Sequence, residues 1–432
     1  MSDKNTALWV ALAEALGPRS AHLSPLLAHF GTPEAIFAAT EGELLAAVPT
    51  LKPAVLHALL EAQPTPRAAE ILKFCARNGV AILTPDSAAY PAPLRAIAEP
   101  PAVLYCHGRL PQFGQMPTVG VVGARHADAY GERMAYKLSF EMAAAGAIIV
   151  SGLAEGVDGI AAAAALEAGA PTVAVLGTGI DRIYPKHHKR LFGEVAEFGA
   201  VITEFAPGTP PNAWHFPMRN RLISALSDAL VVVRAGENSG ALITARYALF
   251  QGKALFAVPG NADEALSVGT NRLLRGGAMM ATCAEDVLSH FRFLYPDLAP
   301  CTVPDEAVQY SLLQQEILRA HGIKSSSKKE EGKTAKRSSR SRREVSEATA
   351  TKVTEAPVTE EAPSPSATVL AEALATLGAA DRALYDLLPD GPFTVDVLVG
   401  AGVGIAASVA AMTLFEILGL VKAGVGGTYV KL

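Results

Sequence analysis

Nine short apolar segments, each ending in small or polar residues, place the strongest constraint on the fold of this chain. They begin at residue 80 and read VAILTP, AVLYCHG, TVGVVGAR, GAIIVSG, PTVAVLG, GAVITEF, DALVVVRA, ALFAVPG and AMMAT. Helical sequence lies between most of them, as at residues 131–145 and 156–168. Continuous apolar strands that alternate with helices are typical of a parallel sheet covered on both faces. The sequence therefore predicts an α/β fold with a Rossmann-like, mostly parallel sheet in a domain over residues 66–298.

Residues 1–62 carry apolar side chains at helical spacing, interrupted by glycine and proline. Thr32 and Thr40 are each followed by an acidic residue within one turn, which is typical of a helix N-cap. The pattern predicts a compact helical domain of the sterile-alpha (SAM) or helix-hairpin-helix type. Because this region has few basic residues, we expect it to support the structure or contact proteins rather than bind DNA.

Residues 300–368 differ from both neighbouring regions in composition. Residues 324–343 are rich in serine, lysine and arginine, whereas residues 351–368 are rich in proline, threonine and glutamate. Neither stretch has enough apolar residues to form a core, so we predict a disordered linker. The basic stretch either contacts DNA without specificity or only keeps the chain soluble.

Residues 369–432 contain three helical segments, DRALYDLLP, FTVDVLVGA and GIAASVAAMTLFEILGL, followed by VKAGVGGTYVKL. The last segment predicts a hairpin that turns at Gly426 and Gly427. Three helices and a hairpin indicate a winged-helix domain of the DML1-like type. The third helix has neither arginine nor asparagine, and a base edge would meet only Ser408, Thr413 and Glu416. We therefore do not expect this helix to read DNA sequence in the major groove.

Cysteine spacing and hydropathy indicate the cellular compartment in which the protein is expected. None of the four cysteines has the CxxC spacing of a zinc site, and reduced thiols in a cytoplasm explain them best. The apolar runs are short, and no signal peptide is apparent, so we expect a cytoplasmic protein without membrane contact. A net charge of −5 does not indicate a nucleic-acid binder, but local charge decides phosphate binding.

Glycine and small polar residues cluster where the predicted strands end. In an open parallel sheet, ligands bind at the carboxyl ends of the strands, near the point where the strand order reverses. Glycines there let a phosphate approach the backbone, and N–H groups at helix starts donate to an anion. An arginine adds a planar, permanently charged donor. The candidate residues at these strand ends are Gly123, Arg125, Ser151, Gly152, Ser239 and Gly240.

Two further segments combine basic residues with an aromatic residue. FPMRNR places Arg219 and Arg221 on either side of Asn220, and YPKHHKRL places Lys186 shortly after a tyrosine. Such segments suit a nucleic-acid strand, because the charges hold phosphates while aromatic rings stack on bases.

Each basic segment also has a simpler structural interpretation. Arg219 and Arg221 could pair with acids such as Glu204 or Asp228. The two histidines of YPKHHKRL are expected to face solvent rather than to bind a metal, because no third ligand with recognisable spacing accompanies them.

Nucleotide cofactors and nucleophilic catalysis are poorly supported. A dinucleotide site needs G-x-G-x-x-G after the first strand, but Gly123 is followed three residues later by His126. No G-x-x-x-x-G-K-[ST] loop occurs, and Ser151 does not lie in a G-x-S-x-G turn. We therefore expect no catalytic residues, no cofactor and no metal.

Seven segments in order resemble the DprA/Smf family of DNA-processing proteins. They are YPAPLRAIAEPPAVLYCHG, VGVVGAR, AIIVSGLAEGVD, VAVLGTGIDRIYP, FPMRNRLISALSDALVVV, SGALITARYAL and AVPGN followed by GTNRLL. The resemblance covers about 220 residues and implies a cytoplasmic protein that binds single-stranded DNA without sequence preference. It further implies protection of incoming DNA during natural transformation, loading of the RecA recombinase and a homodimer formed through the Rossmann-like domain. The phosphate pocket that it implies maps onto Gly123, Arg125, Ser151, Gly152, Lys186, Arg219, Asn220, Arg221, Ser239 and Gly240.

The sequence departs from the family pattern at two positions. Ala162 stands where family members usually have histidine, and Arg234 stands where they usually have glutamate. If Arg234 faces the pocket, it should strengthen anion binding.

Two other functions stay open at this stage. One is a nucleotide-phosphate hydrolase of the lysine-decarboxylase-like group, although the PGGxGT loop of that group is absent from RAGENSGALITA. The other is a scaffold that recruits recombination proteins through its outer domains.

Overall fold

The chain divides into two compact units, Met1–Arg343 and Glu344–Leu432. The computed structural model describes residues 3–61, 64–301 and 319–323 of the first unit. In the second unit it describes residues 374, 379–394, 396–401, 403, 408, 411, 412, 415, 420–423 and 428–431. Within these ranges no helix is both long and apolar enough to cross a bilayer.

Six helices precede the first strand in the residues that the structure describes. They are α1 (Asp3–Leu16), α2 (Leu23–Phe30), α3 (Pro33–Ala38), α4 (Glu41–Ala47), α5 (Pro53–Leu60) and α6 (Pro66–Arg77). Both predicted N-caps are confirmed. Thr32 Oγ1 accepts a hydrogen bond from Ala35 N at 3.2 Å, and Thr40 forms a reciprocal capping box with Glu43. The apolar faces of these helices share one continuous core with the sheet that follows.

All nine predicted segments form strands of a single sheet. The strands are β1 (Val80–Leu83), β2 (Leu104–Gly108), β3 (Thr118–Val122), β4 (Ile148–Ser151), β5 (Thr172–Val175), β6 (Ala200–Thr203), β7 (Ala229–Val232), β8 (Ala254–Ala257) and β9 (Met279–Met280). Their order is β1-β2-β6-β5-β4-β3-β7-β8-β9. The seven strands from β6 to β9 in this order are parallel, whereas β1 and β2 pair antiparallel. The predicted Rossmann-like, mostly parallel sheet is therefore confirmed.

The strand order reverses beside β3. From β3 the chain proceeds through β4, β5 and β6 on one side, and then returns to build β7, β8 and β9 on the other. The helices of this region cover both faces of the sheet with separate apolar clusters. They are α7 (Ala92–Arg95), α8 (Ala129–Ala144), α9 (Val157–Glu167), α10 (Lys189–Phe198), α11 (His215–Ala225), α12 (Gly240–Phe250), α13 (Val268–Arg275) and α14 (Ala284–Leu288). The carboxyl ends of β3 and β7 thus form the topological switch point, where an open sheet binds ligands.

The described part of the second unit contains α15 (Ala379–Asp386), α16 (Asp396–Gly400) and an antiparallel pair, β10 (Val421–Ala423) and β11 (Tyr429–Lys431). The predicted hairpin strands are thus present. The turn at Gly426 and Gly427, Thr413 and Glu416, and most of the third predicted helix lie outside the described residues. The winged-helix assignment stays a prediction.

The linker predicted for residues 300–368 lies mostly outside the described residues. Residues 319–323 within it pack on the first unit. His321 Nδ1 lies 2.6 Å from a carboxylate oxygen of Glu194, and the Ile323 side chain is buried in the core. These five residues are therefore held against α10.

Candidate nucleic-acid interface

A cleft of about 210 Å³ opens at the topological switch point, and we call it the strand-end cleft. It lies where β3 and β7 end, beside the first turns of α9, α11 and α12. Six of the ten predicted residues line it, namely Gly123, Arg125, Arg219, Asn220, Ser239 and Gly240. It also includes Val122, Ala154, Asp158, Ala213, Phe216, Pro217, Ala241 and Thr244.

The rim of the strand-end cleft combines an exposed cation with aromatic rings. The Arg125 guanidinium carbon lies 5.0 Å from the centre of the Phe216 ring, which fits a cation–π contact. Arg125 forms no ion pair with any carboxylate among the described residues. The Tyr184 ring lies 5.5 Å from Phe216, and the exposed Lys186 begins the 3-10 turn that follows. The rim therefore offers a free positive charge beside surfaces on which a base can stack.

The first turn of α12 supplies backbone donors to the strand-end cleft. Ser239 is the N-cap, and its Oγ accepts a hydrogen bond from Ala241 N at 3.4 Å. Gly240 is exposed and has open space where a side chain would begin. Because Ala241 N donates to Ser239 Oγ and Leu242 N donates to Ser239 O, it is the N–H of exposed Gly240, together with the positive end of the helix dipole, that favours an anion at this position.

Gly123 brings the backbone of the strand-end cleft close to the next helix. A Cβ atom there would lie 2.6 Å from Cγ2 of Val157, at the start of α9. A side chain is therefore excluded, and the turn after β3 stays close to α9.

Arg219 forms the floor of the strand-end cleft rather than its rim. Its side chain is buried and donates to the carbonyl oxygens of Gly152, at 2.8 Å, and Val175. Its Nε donates to Asn220 Oδ1 at 3.2 Å, and Asn220 Nδ2 donates to Gly240 O at 3.3 Å. Arg219 therefore holds the ends of β4 and β5 in place, is linked through Asn220 to the start of α12, and places a positive charge beneath the cleft.

Asp158 is a charged cleft residue that the sequence interpretation missed. It is buried in the first turn of α9, close to both Arg219 and Arg125. Burial raises the pKa of Asp158, and the two arginines oppose that rise. Burial also lowers the pKa of Arg219 to about 10, although Asp158 acts in the opposite direction. The available signal was an acid in the first turn of a helix, VDGIAAAAALE, that has no other polar side chain before its last residue.

Arg221 is not available to a phosphate. Its guanidinium forms a buried bidentate ion pair with Glu204, with nitrogen–oxygen distances of 2.5 and 2.7 Å. Its Nε also donates to Glu99 O at 3.3 Å. The simpler interpretation, pairing with Glu204, is therefore correct for Arg221.

Ser151 and Gly152 also serve the fold rather than the cleft surface. Ser151 is buried, and its Oγ donates to Val121 O on the neighbouring strand at 2.7 Å. Gly152 provides the space that Arg219 occupies, because a Cβ atom on Gly152 would overlap the guanidinium. Both residues lie behind the lining of the strand-end cleft.

Arg234 does not face the strand-end cleft, so the expected gain in anion binding does not follow. Its side chain is buried, pairs with Asp128 and lies 2.6 Å from a carboxylate oxygen of Glu264. Its guanidinium also lies 5.0 Å from the centre of the Tyr130 ring. The two carboxylates compensate its charge, and Arg234 ties β7 to the start of α8.

The expectation that His187 and His188 both face solvent is wrong for His188. His188 is fully buried, with Nδ1 3.1 Å from Leu153 O, and it packs against Gly159 of α9. Burial lowers the pKa of His188. His187 is half-buried and has Nε2 3.3 Å from Glu155. Ala162 is also buried in α9 and adds no polar group there.

Within the described ranges, no group of three or more histidine, cysteine, aspartate or glutamate side chains lies close enough to hold a metal ion.

Known proteins resemble this chain in sequence and in fold. A family model described as DNA recombination-mediator protein A matches residues 81–292. DNA processing protein DprA of Bacillus subtilis is 36% identical over 246 residues, which are 57% of this chain and 79% of that protein. DNA processing protein DprA of Streptococcus pneumoniae is 39% identical over 208 residues, which are 47% of this chain and 72% of that protein.

A solved structure gives the same result for the fold. The X-ray structure of DNA processing protein A from Streptococcus pneumoniae aligns with 67% of this chain and 98% of its own, with a TM-score of 0.57 and 29% sequence identity. The residues matched by the family model contain nearly all of the nine-stranded sheet and every residue of the strand-end cleft.

Proposed function

Because this chain belongs to the DprA/Smf family of DNA-processing proteins, we propose that it binds single-stranded DNA in the strand-end cleft, without sequence preference. The observation that carries this proposal is the pairing of exposed Arg125 with the first turn of α12. A guanidinium and backbone N–H groups both donate to phosphate oxygens, which are the same in every nucleotide.

The aromatic rim favours a single strand over a duplex. Phe216 and Tyr184 offer ring faces beside Arg125, and a base can stack on such a face only when it is unpaired. Binding by stacking and charge tolerates any sequence, because every base has a π-face.

Equilibrium binding of one labelled oligonucleotide, as single strand and as blunt duplex, tests the proposal. We expect tighter binding of the single strand and a log–log salt dependence of about −0.7 per phosphate contacted. Arg77→Ala is a matched control for Arg125→Ala, because Arg77 is exposed and lies beside β1, at the far edge of the sheet. Equal affinity for the single strand and the duplex would contradict the proposal.

The homodimer implied by the family has a candidate surface at the β9 edge of the sheet. β9 has no neighbour on its outer side among the described strands, and both of its methionines are at least partly exposed. Leu249 and Met279 line one groove there, and Phe250 is 64% exposed. Exposed apolar side chains next to an open strand edge favour pairing with another chain. We expect a dimer by light scattering and a monomer for Met280→Lys.

Protection of incoming DNA and loading of RecA complete the proposed role, and both are supported by family membership. Stimulation of RecA filament formation on single strands coated with a competing binding protein tests the loading step. A variant that still binds DNA but no longer stimulates RecA would separate loading from DNA binding.

A further inference from the structure

A second cavity, of about 220 Å³, lies between the helices of the N-terminal region and the sheet, and we call it the Tyr105 cavity. It is smaller than the pockets of roughly 300–1,000 Å³ that enclose drug-sized ligands, so it suits a single ring system. Tyr105 on β2, the α1–α2 connection and the start of α11 enclose it.

The strand-end cleft and the Tyr105 cavity share one wall, at residues 213–217. Ala213 and Phe216 line the strand-end cleft, whereas Trp214 and His215 line the Tyr105 cavity. Tyr105 itself lies on β2, four strands from β3, which at about 4.8 Å per strand places it roughly 19 Å from the strand end that carries Arg125. A strand that is held by Arg125 and continues past Ala213 and Trp214 can therefore reach the Tyr105 cavity with a base a few nucleotides further along.

Aromatic side chains supply a stacking surface at this wall. Trp214 is 59% exposed, and its ring lies 4.7 Å from that of His215. His215 in turn stacks on Phe205 at 4.4 Å, so the wall is backed by the core. A large exposed ring on a rigid support is a suitable platform for an unpaired base.

The Tyr105 hydroxyl marks the polar end of the cavity. Tyr105 is buried, and no described residue forms a hydrogen bond with its hydroxyl. Leaving a buried polar group unpaired is costly, so such groups call for an explanation in a native structure. A ligand in the Tyr105 cavity that carries a donor or acceptor would satisfy this hydroxyl.

The charges around the cavity disfavour an anionic ligand. The Arg19 side chain is bound to Glu99 at 2.6 Å, and Glu204 accepts from Arg221 and from Arg19 N. The described lining residues therefore offer no unpaired cation, whereas Glu14 contributes a carboxylate. Glu14 forms an ion pair with Arg67 at 3.7 Å, and its carboxylate oxygens have further lone pairs for an N–H donor. This environment favours a neutral, planar ring with N–H donors over a phosphate.

We propose that the Tyr105 cavity takes one unpaired, amino-bearing nucleobase of the strand held in the strand-end cleft, with Trp214 stacking on the ring and Tyr105 and Glu14 forming hydrogen bonds to its edge. This inference rests on the proposed single-strand binding. It adds hydrogen bonds to the edge of one base, and with them a preference at a single position, to a surface that otherwise contacts phosphates and stacks on any base.

Binding of two oligonucleotides tests the proposal in the full-length chain. One is a short deoxyadenylate strand, and the other has the same length and phosphates but abasic sugars. We expect Trp214→Ala to weaken binding of the deoxyadenylate at least about fivefold and to leave the abasic strand unchanged. Arg125→Ala should weaken both equally, so a failure of the strand-end cleft is distinguishable from a failure of the cavity.

Tyr105→Phe separates entry into the cavity from stacking on its outer edge. The substitution removes a hydroxyl that has no described partner, so the protein should keep its fold and its thermal midpoint. We expect about two- to tenfold weaker binding of deoxyadenylate and no change for the abasic strand. Unchanged deoxyadenylate binding in Tyr105→Phe, or equal losses for both strands in Trp214→Ala, would overturn the proposal.

Tryptophan fluorescence gives an independent readout. The chain has two tryptophans, and Trp9 is only 3% exposed. The difference in emission between the wild-type chain and Trp214→Phe therefore reports Trp214 alone. Deoxyadenylate should quench this difference signal, and quenching to the same degree by the abasic strand would contradict base stacking.

Discussion

Arg125 and Arg219 line the same cleft, yet their substitutions should fail in different ways. Arg125 is exposed, has no ion-pair partner in the described ranges and contacts the Phe216 ring, so Arg125→Ala removes ligand contacts and only one weak contact within the protein. Arg219 is buried and donates to Gly152 O, Val175 O and Asn220 Oδ1. Arg219→Ala leaves these acceptors unpaired and removes a positive charge beside buried Asp158.

The expected magnitudes follow from these environments. A charged hydrogen bond contributes about 1.5–3 kcal/mol, so Arg125→Ala should weaken single-strand binding roughly 10- to 150-fold. The salt slope should fall by about 0.7, since one phosphate contact is lost. Each buried acceptor left unpaired costs about 1–3 kcal/mol, against a typical folding free energy of about 5–15 kcal/mol. Arg219 donates to three such acceptors, so Arg219→Ala should lower stability by at least about 3 kcal/mol.

Two assays on the same preparations separate the effects. Urea denaturation should give a wild-type midpoint for Arg125→Ala and a clearly lower midpoint for Arg219→Ala. Fluorescence anisotropy with a single strand at two salt concentrations should give the affinity and slope changes for Arg125→Ala. A clearly destabilised Arg125→Ala protein, or an Arg219→Ala protein with wild-type stability, would refute the placement of Arg125 at the rim and Arg219 on the floor of the strand-end cleft.

Three further predictions concern other parts of the chain. Arg234→Met should lower the urea midpoint, because Asp128 and Glu264 lose their shared partner, and should leave DNA binding unchanged in anisotropy; weaker binding in a folded variant would place Arg234 at the site after all. Burial lowers the pKa of His188 in the folded protein. As the pH falls below about 6.5, His188 is therefore protonated in the unfolded chain before it is protonated in the folded chain. The urea midpoint of the wild-type chain should therefore fall as the pH is lowered, and the midpoint of His188→Gln should fall less steeply. Parallel pH profiles of the urea midpoint for these two proteins would contradict this. Cutting after residue 323 keeps Ile323 in the core and should preserve most single-strand affinity, with any contribution of residues 324–343 erased by salt; a folded product without binding at physiological salt would place the DNA site in the tail.

The sheet could be predicted from sequence because its signal is local and repeated. Each strand is a continuous apolar run, and β3 to β7 are buried at every position. Glycines and polar residues after these runs also located the ligand-binding edge, since the carboxyl ends of parallel strands meet there. The cleft formed by Gly123, Arg125, Ser239 and Gly240 follows from this rule.

Side-chain direction could not be predicted in the same way. Arg219 and Arg221 are neighbours in FPMRNR, but positions two apart on a helix face different sides. One side of α11 faces the ends of β4 and β5, and the other side faces Glu204 after β6. Arg234 and His188 depend similarly on acids and carbonyls that are remote in sequence. No spacing rule in a single sequence identifies such partners.

The N-terminal helices have few basic residues, yet they line the cavity that we propose for a base. Their scarcity of basic residues argued against DNA binding, and that argument applies to phosphate contacts. The α1–α2 connection nevertheless encloses the Tyr105 cavity, where Glu14 contributes an acceptor and Leu23 an apolar wall. A site for a neutral base needs no lysine or arginine, and an unpaired cation there would favour phosphate instead. On this proposal the helical region is poor in basic residues because it contacts the base, while Arg125 and α12 contact the backbone of the same strand.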